Sequence, residues 1–335
     1  MLTDIYDITI NLIQYLQNLG DWLIPPMEFF TFLGKEEFYL LVMPMLVWAV
    51  DYSFGLRIGV ILLLSGSLNS IFKIAFHGPR PYWYSAEVKN LTNPEIGFGI
   101  PSGHSQSPAS IYGLVASTIK RNWVTVVMAV LIFLIGFSRI VLGVHFLQDV
   151  LAGWAIGLII LWLFLRYENR VAAWFDRRQL GANIGVVFAI SVGLVLVGAV
   201  IISALGGYEL PQSWQENAAI AHPDEPLDPL SLSGVITSSA AFFGLVSGGF
   251  WVSSRGGFDA GGDGWKRGLR FVIGLLVVVL LWMGLGEIFP RDANLLSYYL
   301  RFLRYALVGF WISGLAPVVF VRIGLAEGMK AKRET

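Results

Sequence analysis

Cysteine is absent from all 335 residues, which excludes disulfide staples, thiolate nucleophiles and cysteine-ligated metals. Charge is scarce as well: 14% of the residues are Asp, Glu, Lys or Arg, against 56% apolar. A soluble domain carries about 25% charged residues, so the deficit points to a bilayer. The 23 basic residues only balance 23 acidic ones. Without a positive excess, nucleic acid is not an expected partner. Residues 1–34 hold no Lys or Arg, so the basic start of a cleavable signal is not expected.

Long apolar runs are what the chain has in plenty. A helix needs about 20 mostly apolar residues to cross a bilayer. On that basis spans are expected near 37–50, 56–76, 104–119, 123–139, 146–165, 184–205, 232–252, 269–289 and 305–323. The fold class is therefore all-α, a polytopic membrane helix bundle of about nine transmembrane helices. The third span is short and Ser-rich, which fits a helix enclosed by others. Ahead of the spans, Ile5, Ile8, Leu12, Leu16 and Leu19 recur at helical spacing. That pattern fits a helix lying in the membrane surface, or equally one docked on protein.

Positive charge marks the cytoplasmic side of a membrane protein. One set of loops holds Arg57, Lys120, Arg121, Arg166, Arg170, Arg177, Arg178, Arg255, Lys266, Arg267, Arg270, Arg322, Lys330, Lys332 and Arg333, which is 15 of the 23 basic residues. The opposite face has Lys35, Arg80, Lys89, Arg139, Arg291, Arg301 and Arg304, with an acidic 206–231 loop. The N-terminus is thus expected outside.

Three stretches converge on that outer face by hairpin topology alone: "KIAFHGPRP" after the second span, "PSGH" opening the third, and "SRIVLGVHFLQD" between the fourth and fifth. Lys73, Arg80 and Arg139 would repel one another at a single mouth unless a dianion sat among them. Arginine's planar fork matches phosphate oxygens, and the Ser102–Gly103–His104 amides open a helix, a ready anion site. His145 and Asp149 are four apart and share a helix face. The carboxylate can fix the ring's tautomer and leave the other nitrogen's lone pair to attack. His104 then has the task of giving a proton to the leaving oxygen.

Other residues carry weaker signals. His77 lies outside the pattern and reads as a surface histidine, and His222 as part of a solvated Pro- and acid-rich loop. Tyr82, Trp83 and Tyr84 read as an interfacial aromatic belt. Glu287 is an intramembrane acid expected to pair with Arg291 or Arg304.

In these motifs the chain resembles the type 2 phosphatidic acid phosphatase superfamily: Lys, six residues, Arg-Pro; Pro-Ser-Gly-His; Ser-Arg, five residues, His, three residues, Asp. The resemblance covers roughly residues 30–165. It implies a six-helix core, a phosphohistidine intermediate and neither metal nor other cofactor. By position it implies that Lys73, Arg80, Ser102, Gly103 and Arg139 hold phosphate, that His104 is the acid, His145 the nucleophile and Asp149 its orienter, with Ser138 a lesser member. Nine spans with the N-terminus outside are similar to the glucose-6-phosphatase and sphingosine-1-phosphate phosphatase branches.

The expected organisation is an N-terminal amphipathic interfacial segment (1–35), the phosphatase catalytic core spans (36–180) and four additional C-terminal helices (181–335). The expected activity is hydrolysis of a lipid phosphate monoester or diphosphate. A cell or ER-like membrane would hold the protein, with the site facing periplasm, exterior or lumen. Partners are then the lipid substrate and membrane lipids; a homo-oligomer is left open. The rivals are a soluble sugar phosphate as substrate, phosphate transfer to another lipid, and a lipid-phosphate transporter or scramblase that cleaves nothing.

Overall fold

The structure, a computed structural model, describes residues 2–290 and 293–328. Arg291, Lys330, Lys332 and Arg333 lie outside the described residues. In chain order the helices are α1 (Leu2–Gln17), α2 (Ile24–Phe32), α3 (Glu36–Ala49), α4 (Tyr52–Phe76), α5 (Pro81–Tyr84), α6 (Gly103–Ile119), α7 (Asn122–Val141), α8 (Leu147–Asp176), α9 (Leu180–Ala204), α10 (Gln212–Ala221), α11 (Ser233–Ser254), α12 (Gly264–Ile288) and α13 (Leu295–Arg322). Among the described residues the only β pairing is an isolated bridge between Asp259 and Glu327. The protein is an all-α polytopic membrane protein.

Every expected span coincides with a helix, and seven of them, α4, α7, α8, α9, α11, α12 and α13, are long and apolar enough to cross a membrane. The other two expected spans, α3 and α6, are shorter helices. With 14 residues α3 reaches about 21 Å, and with 17 residues α6 reaches about 26 Å at 1.5 Å per residue, below the roughly 30 Å hydrocarbon thickness. The last helix starts at Leu295 rather than near 305 because Arg301 and Arg304 depress the hydropathy of its first turns without interrupting it. Both α12 and α13 carry a π-helical segment, at Leu280–Gly284 and Trp311–Leu315.

The chain forms two compact units. The first comprises Met1–Phe38, Leu68–Leu165 and Val197–Ser231. Its core gathers Ile10, Ile13 and Leu16 of α1 with Trp83, Phe98, Leu142, Val144 and Phe146. The expected N-terminal stripe divides: Leu16 is buried, whereas Ile5, Ile8, Leu12 and Leu19 are exposed. Tyr6 packs its ring 4.6 Å from Phe146 and 5.1 Å from Tyr84, so α1 braces the turn that carries His145. The expected aromatic belt is instead interior: Trp83 is fully buried and Tyr82 nearly so. The Pro81 start folds these rings back on the core, where each buried aromatic is worth about 1.5–3 kcal/mol.

Helices α6 and α8 meet through Gly153 and Gly157. A Cβ at Gly153 would lie 2.6 Å from the Ser102 carbonyl, and one at Gly157 2.8 Å from Ala109 Cβ. Small residues four apart let helices approach closely inside a membrane.

The second unit comprises Tyr39–Ser67, Arg166–Leu196 and Leu232–Thr335. Its core packs Val47, Trp48, Leu245, Phe258, Ile312 and Phe320. Trp48 Nε1 donates to the Ile312 carbonyl at 2.7 Å, and Arg57 pairs with Glu168 at 2.8 Å.

Candidate active site

Each cationic or titratable residue of the three motifs sits at a helix end of the first unit, and the local sequence explains where. Helix α4 stops after Lys73 because His77 adopts a left-handed φ of 39° and Gly78-Pro79 follows. Arg80 then precedes α5. Helix α7 ends in a tight turn: Gly143 takes φ 73°, and the amides of Val144 and His145 both donate to the Arg139 carbonyl at 3.2 Å. The five residues between Arg139 and His145 are therefore the length of a helix cap, and the cap returns His145 to the guanidinium.

Arg80 is 1% exposed. Its Nε donates to the Gly97 carbonyl at 2.7 Å, Nη1 to Val144 at 3.0 Å and Nη2 to Phe98 at 3.1 Å. Its Nη1 also lies 3.3 Å from His145 Nε2. A guanidinium cannot accept a hydrogen bond, so the contact requires a lone pair on Nε2 and places the ring proton on Nδ1. That nitrogen faces Asp149 Oδ2 at 3.3 Å, while the Phe146 amide donates to the same oxygen at 2.9 Å. His145 lies in the turn between two spans, fully buried. Burial first, then the Arg80 charge, hold its pKa well below the usual imidazole range, so the ring is neutral at pH 7.

Arg139 donates to the Thr31 hydroxyl of α2 and to Glu95, and its buried Nε has no hydrogen-bond partner among the described residues. The Ser102 hydroxyl and His104 Nε2 are likewise buried without one. The charges acting on His104 are those of Arg139, Glu95, Lys73 and Lys35, which puts it beside the same pocket.

Two motif residues have structural contacts of their own. The Ser102 amide is already committed to the Asp149 carbonyl at 3.0 Å, which leaves its hydroxyl as the group available to a ligand. A Cβ on Gly103 would meet Asn69 Oδ1 at 3.0 Å, so the glycine makes room for Asn69. That side chain in turn donates to the Pro101 carbonyl at 3.1 Å and to Gln106 Oε1 at 3.0 Å, pinning the start of α6. The Ser138 hydroxyl bonds back to the Ile135 carbonyl at 2.7 Å within its own helix. His77 packs 5.1 Å from Tyr208, and His222 Nε2 meets the Asn90 amide at 2.8 Å.

Glu95 is the residue that sequence reasoning missed. Its carboxylate joins Arg80 Nη2 at 2.6 Å and Arg139 Nη2, and lies 4.0 Å from both Lys73 Nζ and His145 Nε2. Burial alone would raise its pKa; Arg80, Arg139 and Lys73 together outweigh that and hold it well below the usual carboxylate range. The one available signal was the charge argument itself, since three clustered cations need a counter-anion and the protein can supply one. Among the described residues no group of three or more His, Cys, Asp or Glu side chains is placed to hold a metal.

Three cations gathered on one carboxylate, beside a neutral histidine on an acid at the ends of membrane helices, make up the candidate site. Residues 54–173 match the PAP2 superfamily, and residues 236–328 match the PAP2 superfamily phosphatase, transmembrane extension. The chain belongs to the PAP2 superfamily and is an integral membrane phosphatase of it. Phosphatidylglycerophosphatase B of Bacillus subtilis (strain 168) is 28% identical over 163 residues, 45% of this chain and 77% of its own length. Glucose-6-phosphatase 3 of Bos taurus is 26% identical over 340 residues, 92% of this chain and 93% of its own. A crystal structure of the first transmembrane PAP2 type phosphatidylglycerolphosphate phosphatase from Bacillus subtilis is similar over 50% of this chain and 93% of that one, at 23% identity and a TM-score of 0.40.

Proposed function

We propose that the protein hydrolyses a lipid phosphate monoester or diphosphate at the non-cytoplasmic face, without a metal, through a phosphohistidine on His145. The observation that carries this reading is the convergence of His145 Nε2, Arg80 and Arg139 on one anionic group. A phosphoryl group there would have its oxygens on the two guanidiniums, Lys73 and the Ser102 hydroxyl. His145 Nε2 attacks phosphorus as the bond to the leaving alkoxide breaks, and His104 gives that oxygen its proton. Asp149 holds the Nδ1 proton and stabilises the positive ring that forms. Water then attacks phosphorus, His104 takes its proton, the phosphorus–nitrogen bond breaks and phosphate leaves. Fixed cations in a dry pocket stabilise the charge spread over the transferring group.

The skew of basic residues supports an outer location for the helix ends that carry the site. Residues 36–180 are the catalytic core in this reading, 1–35 an interfacial segment with an exposed apolar stripe, and 181–335 four further helices. Lipid is the favoured substrate because the site is built at the ends of membrane helices and because the Bacillus subtilis relative is a phosphatidylglycerophosphatase. A soluble sugar phosphate is the second reading, favoured by the glucose-6-phosphatase whose likeness runs through 92% of the chain.

Phosphate release from detergent-solubilised protein in EDTA tests this. Activity on phosphatidic acid, phosphatidylglycerophosphate, sphingoid-base phosphate or polyprenyl diphosphate that exceeds activity on glucose 6-phosphate, and that disappears in His145→Ala but not His222→Ala, is the expected result. Equal activity in both variants would defeat the mechanism, and preference for glucose 6-phosphate would move the assignment to the second reading.

A further inference from the structure

Glu95 lies between α5 and α6, and its backbone is held in place. The Tyr82 hydroxyl donates to the Glu95 carbonyl at 2.9 Å and accepts from the Glu95 amide at 3.2 Å. Arg80 grips the carbonyls of Gly97 and Phe98 just beyond. Only the side chain is left to move. Its two oxygens divide between the two guanidiniums, and one of them stands 4.0 Å from the attacking nitrogen of His145. Two oxygens of a phosphoryl group would be shared out in the same way, so the carboxylate is a singly charged counterpart of the substrate's reacting group. The Glu95 side chain is 23% exposed, and the Arg80 and Arg139 side chains beneath it 1% and 2%. Rotation about its own bonds therefore carries the carboxylate into water, and a ligand reaching the guanidiniums passes it.

We propose that Glu95 is an internal competitor for the phosphoryl site, which a dianionic phosphate displaces and a monoanion does not, so that Glu95 sets the charge selectivity of the reaction. The inference rests on the reading of the pocket as a phosphoryl site. Replacing the tethered carboxylate by a free monoanion leaves the charge on the three cations unchanged and adds the entropic cost of association. A dianion brings one further unit of charge against Lys73, Arg80 and Arg139 at short range, where each interaction is strong. A phosphate monoester is dianionic above pH of about 6, so the discrimination acts at neutral pH.

The test uses the full-length chain in detergent at pH 7.5, with inorganic phosphate and hypophosphite, a small tetrahedral monoanion, as probes in equilibrium titrations. In the wild type, phosphate should bind at least tenfold more tightly than hypophosphite. In Glu95→Gln both should tighten, phosphate by tenfold or more, and hypophosphite should gain measurable affinity. Phosphate binding that is unchanged or weaker in Glu95→Gln would overturn the inference. So would a wild type that binds the two anions equally, a comparison that needs no variant to fold. The mechanism fails separately: turnover surviving in His145→Ala while Glu95→Gln tightens phosphate would sink the histidine chemistry and leave the competitor standing.

Discussion

Arg80 has two tasks that a conservative substitution separates. Its guanidinium faces the reacting position and also ties together the carbonyls of Gly97, Phe98 and Val144. A lysine at this position is a single donor centre on a flexible stem and can meet one of the three. Two buried carbonyls would then be left without partners, at about 1–3 kcal/mol each, or ~2–6 kcal/mol together. That is a large share of the 5–15 kcal/mol typical of a folded domain. Losing the fork at the reacting position should cost about 100- to 1,000-fold in kcat/KM, the effect of removing one preorganised donor. Arg139 provides the contrast, because among the described residues its partners are the side chains of Thr31 and Glu95 and no backbone. Arg80→Lys should therefore lower the thermal unfolding midpoint in detergent by ~5 °C or more, while Arg139→Lys loses comparable activity with a smaller drop in midpoint. Scanning fluorimetry and phosphate release on the same preparations read both quantities. An Arg80→Lys protein that unfolds at the wild-type temperature would refute the reasoning, whatever its activity.

Further outcomes follow from the same contacts. Gly157→Leu should prevent α6 and α8 from closing and abolish activity with loss of folded protein, whereas Gly181→Leu, whose Cβ meets nothing within 4 Å, should match the wild type; size-exclusion yield and activity report both. Asn69→Ala should lower kcat about tenfold, the worth of roughly one hydrogen bond to a positioning group, by freeing the start of α6, and Asn69→Asp should restore little because it removes the donor. Glu95 has its pKa depressed by folding, so its contribution to stability is present above its unfolded pKa of about 4.3 and is lost as pH falls through the lower folded value. The stability difference between wild type and Glu95→Gln should accordingly be widest near pH 7 and close below about pH 4; a difference constant across that range would contradict the ion-pair geometry.

The spans were legible because a bilayer demands long apolar runs, and the three motifs because cations and a histidine–acid pair are costly there unless used. What the sequence hid is local. Two helices, α3 and α6, carry an apolar pattern but are shorter than the other spans, since patterning reports the environment of a segment and not where its caps fall. The start of α13 was displaced by Arg301 and Arg304, whose charge lowers hydropathy without breaking a helix. Trp83 and Tyr82 looked like interface residues because aromatic clusters beside a span serve both there and in a buried cap. Glu95 and Thr31 have no periodicity to reveal them: each reaches the pocket from a connecting or short segment whose path is set by tertiary contacts. Ser102 and Gly103 stood out as candidates by their motif, yet their contacts, an amide on Asp149 and a space filled by Asn69, belong to the packing of helices and not to the motif.

The most direct test of the central claim is to trap the enzyme during turnover. Rapid alkaline quench after mixing with a radiolabelled lipid phosphate, followed by peptide mapping, should yield an alkali-stable and acid-labile phosphoryl group on the peptide containing His145, absent from His145→Ala and accumulating in His104→Ala when the ester's leaving group, such as a nitrophenolate, needs no proton. Steady release of phosphate with no label on that peptide would contradict the account.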